Sequence, residues 1–393
     1  MLEAPSPPAE DEDLQEQAAR LYRDLGTRPV INAAGAYTLL GGSVLSPGVR
    51  EAMDAANYRF ADMRDLLDAA GRRAAEMLGV EAAYVTSGAA GALVLAVAAC
   101  LTLDHPEFVE RLPDTAGIPN EVVVQRNVRQ RYDRCLSIPG ARIVEAGDEG
   151  GLTPGQLGEA IGPRTAAVFY LAPARAGAPP LEAVIEVCRG RRIPLIVDAA
   201  GLTYPVEEMS KYARLGADLV CYAGKYFDAP QSTGLLVGRK DLVEAAGRNG
   251  FVAFETEDNR AFGRPMKLDR QEVFGCVAAL GEWLAMDHQA RFAACGRRIG
   301  VILDALRSLP VQAYRISERE TPAPTVRDGV RIHLDSAAGA ARLVDALRDG
   351  EPCIWTRVDD RNPAAVNVSV AYLRPGDDRL IAGRLKELLV QAR

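Results

Sequence analysis

Two residues in this chain have types and surroundings suited to covalent chemistry. Lys225 closes the run Ala217-Asp218-Leu219-Val220-Cys221-Tyr222-Ala223-Gly224-Lys225, and Asp198 closes the apolar run Ile196-Val197-Asp198, with Ala199-Ala200 following. An ε-amine at a strand end can form a Schiff base with an aldehyde, and a carboxylate at an upstream strand end can keep a ring nitrogen protonated so that the ring accepts electrons. Taken singly, Asp198 could simply cap the next helix and Lys225 could be a solvated loop lysine. A third segment, Thr86-Ser87-Gly88-Ala89-Ala90-Gly91, ends a strand at Thr86, turns at Ser87 and Gly88, and opens an apolar helix from Ala89 to Leu101. The first backbone N–H groups of such a helix, with its dipole and a serine hydroxyl beside them, suit a phosphate. The segment has neither the Gly-Lys-Ser/Thr ending of a P-loop nor the spacing of a dinucleotide fingerprint, and small residues there also serve packing.

These groups need a scaffold that brings strand ends together. Short β-rich runs alternate with helical ones: Ala82 to Thr86, Glu121 to Gln125, Arg142 to Glu145, Ala166 to Leu171, Pro194 to Asp198, Asp218 to Tyr222, and Gly234 to Val237. They are almost continuously apolar, which predicts a mostly parallel sheet covered on both faces. Ligands of such sheets sit beyond the carboxyl ends of the strands, where Asp198 and Lys225 both fall. Residues 1–13 read as a disordered tail, 14–46 as a helix and extended arm, 47–264 as the large α/β domain, and 265–393 as a smaller α+β domain. In the last of these, two long helical stretches (Leu268 to His288, Arg291 to Ser308) precede strands at Arg331 to Leu334, Ile354 to Arg357 and Val366 to Val370.

Composition narrows the partners. The 393 residues are 48% hydrophobic and 25% charged, with net charge −7, so no basic surface for nucleic acid is expected. No apolar stretch reaches the roughly 20 residues a bilayer requires, and the acidic, Pro-rich start lacks the apolar core of a secretory signal. Seven cysteines form no CxxC pair and three histidines lack partners at metal-ligand spacing. The expectation is a cytoplasmic protein with reduced thiols, no metal and no membrane partner.

From Arg28 to almost the end, the chain resembles the selenocysteine-synthase-like branch of fold-type I pyridoxal phosphate enzymes, especially its D-glucosaminate-6-phosphate ammonia-lyase-like members. The segments that carry the resemblance include Arg28-Pro29-Val30-Ile31-Asn32-Ala33-Ala34-Gly35, Val85-Thr86-Ser87-Gly88-Ala89-Ala90, Ile196-Val197-Asp198-Ala199-Ala200, Pro230-Gln231-Ser232-Thr233-Gly234 and Gly263-Arg264-Pro265-Met266-Lys267. The resemblance implies an aspartate aminotransferase-like α/β fold, a pyridoxal 5'-phosphate cofactor, and an amino-acid substrate. It also implies a homo-oligomer, a dimer or larger, whose active site is shared between copies. The cofactor phosphate would lie near Ser87, Gly88 and Ala89, Asp198 would contact the pyridine nitrogen, and Lys225 would be both aldehyde partner and proton shuttle. Gln231, Ser232 and Thr233 would reach the cofactor phosphate of a neighbouring subunit, and Asn32, Arg126, Arg264, Lys267 and Arg374 are candidates for substrate or anion binding. For Arg264 and Lys267, a surface salt bridge is the competing reading.

Two departures bear on the substrate. Val128 stands where relatives typically carry a histidine after a Gln-Arg pair, and Asp228 falls in the post-lysine segment where many carry an arginine. Both changes weaken the case for a phosphorylated sugar acid. Elimination releasing ammonia and a 2-oxo acid is the first expectation. Transamination or racemisation on the same cofactor, and a non-catalytic binding or scaffold role, are the alternatives.

Overall fold

Glycine and proline punctuate the apolar runs of this chain closely enough to cut them into short strands, and the structure, a computed structural model, pairs them by class. It describes residues 9–255, 260–316 and 328–391, with side chains from Leu14 onward. The strands in chain order are β1 (Ile31–Asn32), β2 (Ala82–Thr86), β3 (Glu121–Gln125), β4 (Arg142–Ala146), β5 (Thr165–Leu171), β6 (Leu195–Asp198), β7 (Leu219–Ala223) and β8 (Gly234–Gly238). They continue with β9 (Gln312–Arg315), β10 (Gly329–His333), β11 (Ile354–Trp355), β12 (Arg357–Val358) and β13 (Ala365–Ser369).

Contacts divide the chain into two units, residues 41–286 and residues 1–40 with 287–393. In the first, seven strands lie in the order β2-β8-β7-β6-β5-β3-β4. All neighbours are parallel except β8, which runs antiparallel to both β2 and β7. Every residue of β3, β6, β7 and β8 is buried, as strands covered on both faces require. The Gly88–Thr102 helix is apolar all round and buried without a break from Gly91 to Ala99, so it belongs to the core rather than the surface. The Met63–Leu78 helix, capped by Asp62 at its start and by left-handed Gly79 at its end, packs against β2.

The second unit holds a four-stranded antiparallel sheet in the order β12-β13-β10-β9, and β1 pairs in parallel with β11. Among the described residues, its α-helices are Ala9–Asp24, His288–Leu306, Ala337–Asp349 and Asp377–Gln391. Ile302, Val330, Ile332, Leu347, Val366 and Leu385 form the centre of its own core.

The sequence boundaries need correction in three places. The expected division at 264/265 moves to 286/287, because the Arg270–Ala285 helix packs Val273, Cys276, Leu280 and Trp283 into the larger core against the Pro47–Ala55 and Met63–Leu78 helices. The arm at 31–32, expected as a separate segment, is a strand of the smaller unit. The first helix begins at Ala9, inside the expected tail; residues 1–8 lie outside the described residues. Strand β9 was not expected, since Gln-Ala-Tyr-Arg carries no apolar run and lies at the sheet edge.

Gly71 shows how closely the layers approach: a Cβ there would stand 2.3 Å from the Ala83 carbonyl oxygen of β2. Gly71→Ala is expected to lower stability by about 1–3 kcal/mol. A shift of the urea midpoint to lower concentration checks it, and an unshifted curve would mean the helix moves freely off β2.

Candidate active site

Parallel pairing of β6 with β7 fixes the relation between the two chemical residues. Asp198 ends β6 in register with Cys221 of β7, and Lys225 begins the turn four residues later, in the short 3-10 segment Gly224–Phe227. The junction is held by backbone bonds, Ala199 N–H to the Cys221 carbonyl at 3.1 Å and Ala223 N–H to the Ala200 carbonyl at 3.0 Å. Behind it, the buried Thr203 hydroxyl donates to the Tyr226 carbonyl at 2.6 Å, and Trp283 Nε1 donates to the Thr203 carbonyl at 2.7 Å. The half-buried lysine extends its Nζ to 5.1 Å from the Tyr226 ring centroid.

Because β8 is antiparallel, the loop entering it reaches the same edge. Gly224 N–H donates to the Thr233 carbonyl at 2.8 Å, joining this loop to the lysine turn. On the loop's other side lies the turn after β2: a Cβ on Gly234 would fall 2.6 Å from Gly88 C and 2.9 Å from Ala89 N, leaving no room for a larger residue. Gly88 adopts φ 72, a left-handed conformation that glycine takes without strain, and starts the 15-residue helix Gly88–Thr102. Ser87, at the helix cap, makes no capping bond with its side chain. Ser87, Gly88 and Ala89 are only partly covered. Along one sheet edge the order is therefore a helix start, the Gln231–Thr233 loop, Lys225 and Asp198.

Asp198 is 6% exposed, and burial pushes its carboxyl up to about 6; nearby Asp133 raises it further, while the Ala200 N–H at 3.1 Å and a hydrogen bond from Gln130 oppose the rise. The arrangement suits a ligand with a phosphate at one end, an aldehyde near the lysine, and a basic ring nitrogen at the aspartate. The chemistry of the donor set supports the fit: a helix start with an uncapped serine hydroxyl, a lysine amine and a buried carboxylate share one sheet edge.

The other expected residues divide. Ser232 is exposed with its hydroxyl bonded to Glu272, and Thr233 is fully buried with its hydroxyl on the Pro230 carbonyl at 2.7 Å, so both shape the loop in this structure. Arg264 pairs with Glu255 at 2.6 Å, the surface salt bridge that the sequence left open. Its 3-10 turn nevertheless lies beside the helix start, with Met266 Sδ 3.8 Å from a Cβ built on Gly91, and Lys267 follows, exposed. Arg126 pairs with Glu145 at 3.2 Å. Asn32 and Arg374 belong to the smaller unit. Asn32 bonds within its own turn, to the Ala34 N–H and the Gly35 carbonyl, each at 3.0 Å, and Arg374 has an exposed side chain. Sequence reasoning missed Gln130, Asp133 and Thr203. Gln130 and Asp133 follow β3 at the carboxyl edge, which was the available signal, but an irregular segment gives no periodicity to follow. A cavity of about 1020 Å³ opens at the opposite edge, near Thr165, Pro194 and Asp218, and none of the site residues lines it.

No family model matches the chain. It is 33% identical over 384 residues to 5'-C-glycyluridine monooxygenase-decarboxylase from a Streptomyces species, covering 94% of this chain and 92% of that protein. It is 29% identical over 381 residues to D-glucosaminate-6-phosphate ammonia lyase from Salmonella typhimurium, covering 95% and 98%. A solved structure of D-glucosaminate-6-phosphate ammonia-lyase superposes with TM-score 0.80 at 28% identity, over 95% of this chain and 98% of that one. Aspartate aminotransferase from Thermotoga maritima, at 14% identity and TM-score 0.53 over 98% and 97% of the two chains, shares the fold. Fold and site together define a fold-type I, pyridoxal phosphate-dependent enzyme. Within that class, the chain belongs to the selenocysteine-synthase-like, D-glucosaminate-6-phosphate ammonia-lyase-like branch.

The buried aspartate gives a pH test. The folded apoprotein holds this proton up to about pH 6, whereas an unfolded aspartate releases it near about 3.9. The folded state thus binds more protons between these values, and this group's contribution to stability falls as pH rises through them. Asp198→Asn is expected to stabilise the apoprotein at pH 7 by on the order of 2–3 kcal/mol and to leave pH 4 unchanged. Urea unfolding at both values measures it, and equal effects at both would contradict the burial argument.

Proposed function

We propose that this chain holds pyridoxal 5'-phosphate on Lys225 and Asp198 and uses it as a lyase on an amino acid, releasing ammonia and a 2-oxo acid. One observation carries the reading: an amine and a buried carboxylate stand at the ends of adjacent parallel strands, beside an open helix start. Bound there, the cofactor would supply an aldehyde that takes up an amine and a protonated ring that accepts electrons from the substrate's Cα. The residues do the rest. Gly88 and Ala89 present N–H groups to the phosphate, with the Ser87 hydroxyl beside them. Asp198 keeps the proton on the ring nitrogen. Lys225 Nζ would hold the aldehyde, and when free its amine would move a proton between the substrate's Cα and the leaving group.

Similarity to the ammonia lyase supports elimination. A second reading, oxidative decarboxylation with dioxygen, is favoured by the 33% identity to a monooxygenase-decarboxylase. Val128 and Asp228 do not match the pattern expected for a sugar-phosphate substrate, so we look to an amino acid without that phosphate. We also propose that the protein acts as a homodimer or larger in a reducing compartment such as the cytoplasm. All seven cysteines are free, and Tyr58 and Phe60, 73% and 92% exposed, offer apolar surface to a second copy.

Protein reconstituted with the cofactor is expected to show a visible absorbance that borohydride abolishes, with the modified peptide mapping to Lys225. Lys225→Ala should lose that band and at least about a thousandfold in turnover, since it removes both the anchor and the proton acceptor. A colourless protein that takes up no added cofactor would end the proposal. For the reaction, an amino-acid panel should yield ammonia and 2-oxo acid in equal amounts without oxygen uptake; oxygen consumption with carbon dioxide release would select the second reading. Sedimentation should give at least about twice the 42.2 kDa chain mass, and a monomer would remove the oligomer.

A further inference from the structure

Lys225 and Tyr226 leave the same short turn half-buried, and only the lysine has a role so far. The turn itself is fixed. The Asp228 N–H and the Ala229 N–H both donate to the Gly224 carbonyl, the latter at 3.0 Å, and Phe227 is fully buried. Gly224 has no space for a side chain, because a Cβ there would stand 2.4 Å from Thr233 Oγ1. The Tyr226 carbonyl is held in turn by the Thr203 hydroxyl at 2.6 Å.

The Tyr226 ring touches both chemical strand ends. A Cβ built on Gly201 would meet its Cε2, Cζ and Cδ2 atoms at 3.6 to 3.8 Å, so the ring lies against the turn that follows Asp198. Lys225 Nζ stands 5.1 Å from the ring centroid. An aromatic face carries partial negative charge, and an ammonium within about 6 Å of the centroid is attracted to it, more strongly where water is partly excluded. A neutral amine gains little from the same contact. The amine must be neutral to bond an aldehyde, and it becomes an ammonium when it takes up a proton, so the ring distinguishes the two conditions of the lysine.

We propose that Tyr226 is a positioning residue that seats the Lys225 ammonium on its ring face, favouring a released, proton-carrying lysine over one bonded to an aldehyde. This rests on the cofactor reading given above. A lysine drawn towards the ring yields the aldehyde more readily to an incoming amine. Once released, it keeps its proton at one place beside the Asp198 turn rather than swinging through the many rotamers of a long side chain. Tyr226 exchanges no proton in this role; its ring acts, not its hydroxyl.

The test uses full-length apoprotein titrated with pyridoxal 5'-phosphate and with 4'-deoxypyridoxine 5'-phosphate, in which a methyl group replaces the aldehyde and cannot bond Nζ. Tyr226→Leu is expected to raise the ratio of aldehyde to methyl-ligand affinity about fivefold, because the ring no longer competes for the lysine. Tyr226→Phe keeps the ring face and should hold the ratio within about twofold of wild type. Tyr226→Met carries the test if the leucine variant fails to fold. An unchanged or lowered ratio without the ring, including equal loss for both ligands, assigns Tyr226 to packing and overturns the inference. A phenylalanine variant that behaves like the leucine one assigns the effect to the hydroxyl and overturns it too. Wild-type protein that binds neither ligand overturns the cofactor reading instead, so the two failures are distinguishable.

Discussion

The in-register pairing of β6 with β7 is the constraint on which the site depends. Strands of a sheet lie about 4.8 Å apart, so once Asp198 is paired with Cys221, the lysine turn that follows has little freedom to stand elsewhere. The same sheet places the helix start after β2 and the loop before β8 on that edge, the latter only because β8 reverses direction. Four separate stretches of sequence thus converge on one sheet edge. Backbone hydrogen bonds rather than side-chain ion pairs maintain the spacing, which makes it insensitive to salt and to the charge state of the site.

This placement carries an electrostatic penalty that the rest of the unit must offset. Asp198 is buried beside Cys221 of β7, and Asp133 adds negative rather than positive charge to its surroundings. The fully buried strands β6, β7 and β8 and the apolar Gly88–Thr102 helix supply the compensating burial. A buried carboxylate at a strand end and a well-packed sheet around it are therefore parts of one arrangement, in which the second makes the first tolerable.

Much of this was legible in the sequence because the signals were local. The seven strands of the large sheet follow from short apolar runs bounded by Gly and Pro, and the positions of Lys225, Asp198 and Ser87 follow from where those runs stop. What stayed hidden depended on tertiary contacts. The Arg270–Ala285 helix has the same periodic pattern whichever core it joins, so its assignment to the larger unit needed the partners of Val273 and Leu280. Edge strand β9 has one exposed border and no apolar run. Asp133 reads as one more charge in a polar loop until folding buries it, and for Arg264 only the position of Glu255 shows which of the two readings, anion ligand or surface salt bridge, this structure adopts.

The burial of the Gly88–Thr102 helix also divides the site by its capacity for change. Gly91 through Ala99 have no solvent-facing side, and Gly234 has no space for a side chain against Gly88, so one end of the site is set as firmly as the core itself. The turns after β3 and β7 instead mix buried residues such as Asp133 and Phe227 with partly covered ones, Val128 and Asp228 among them. Descent with altered substrate choice has in this architecture a fixed handle and an adjustable rim, and the rim is where differences among members of the branch can accumulate without disturbing the sheet.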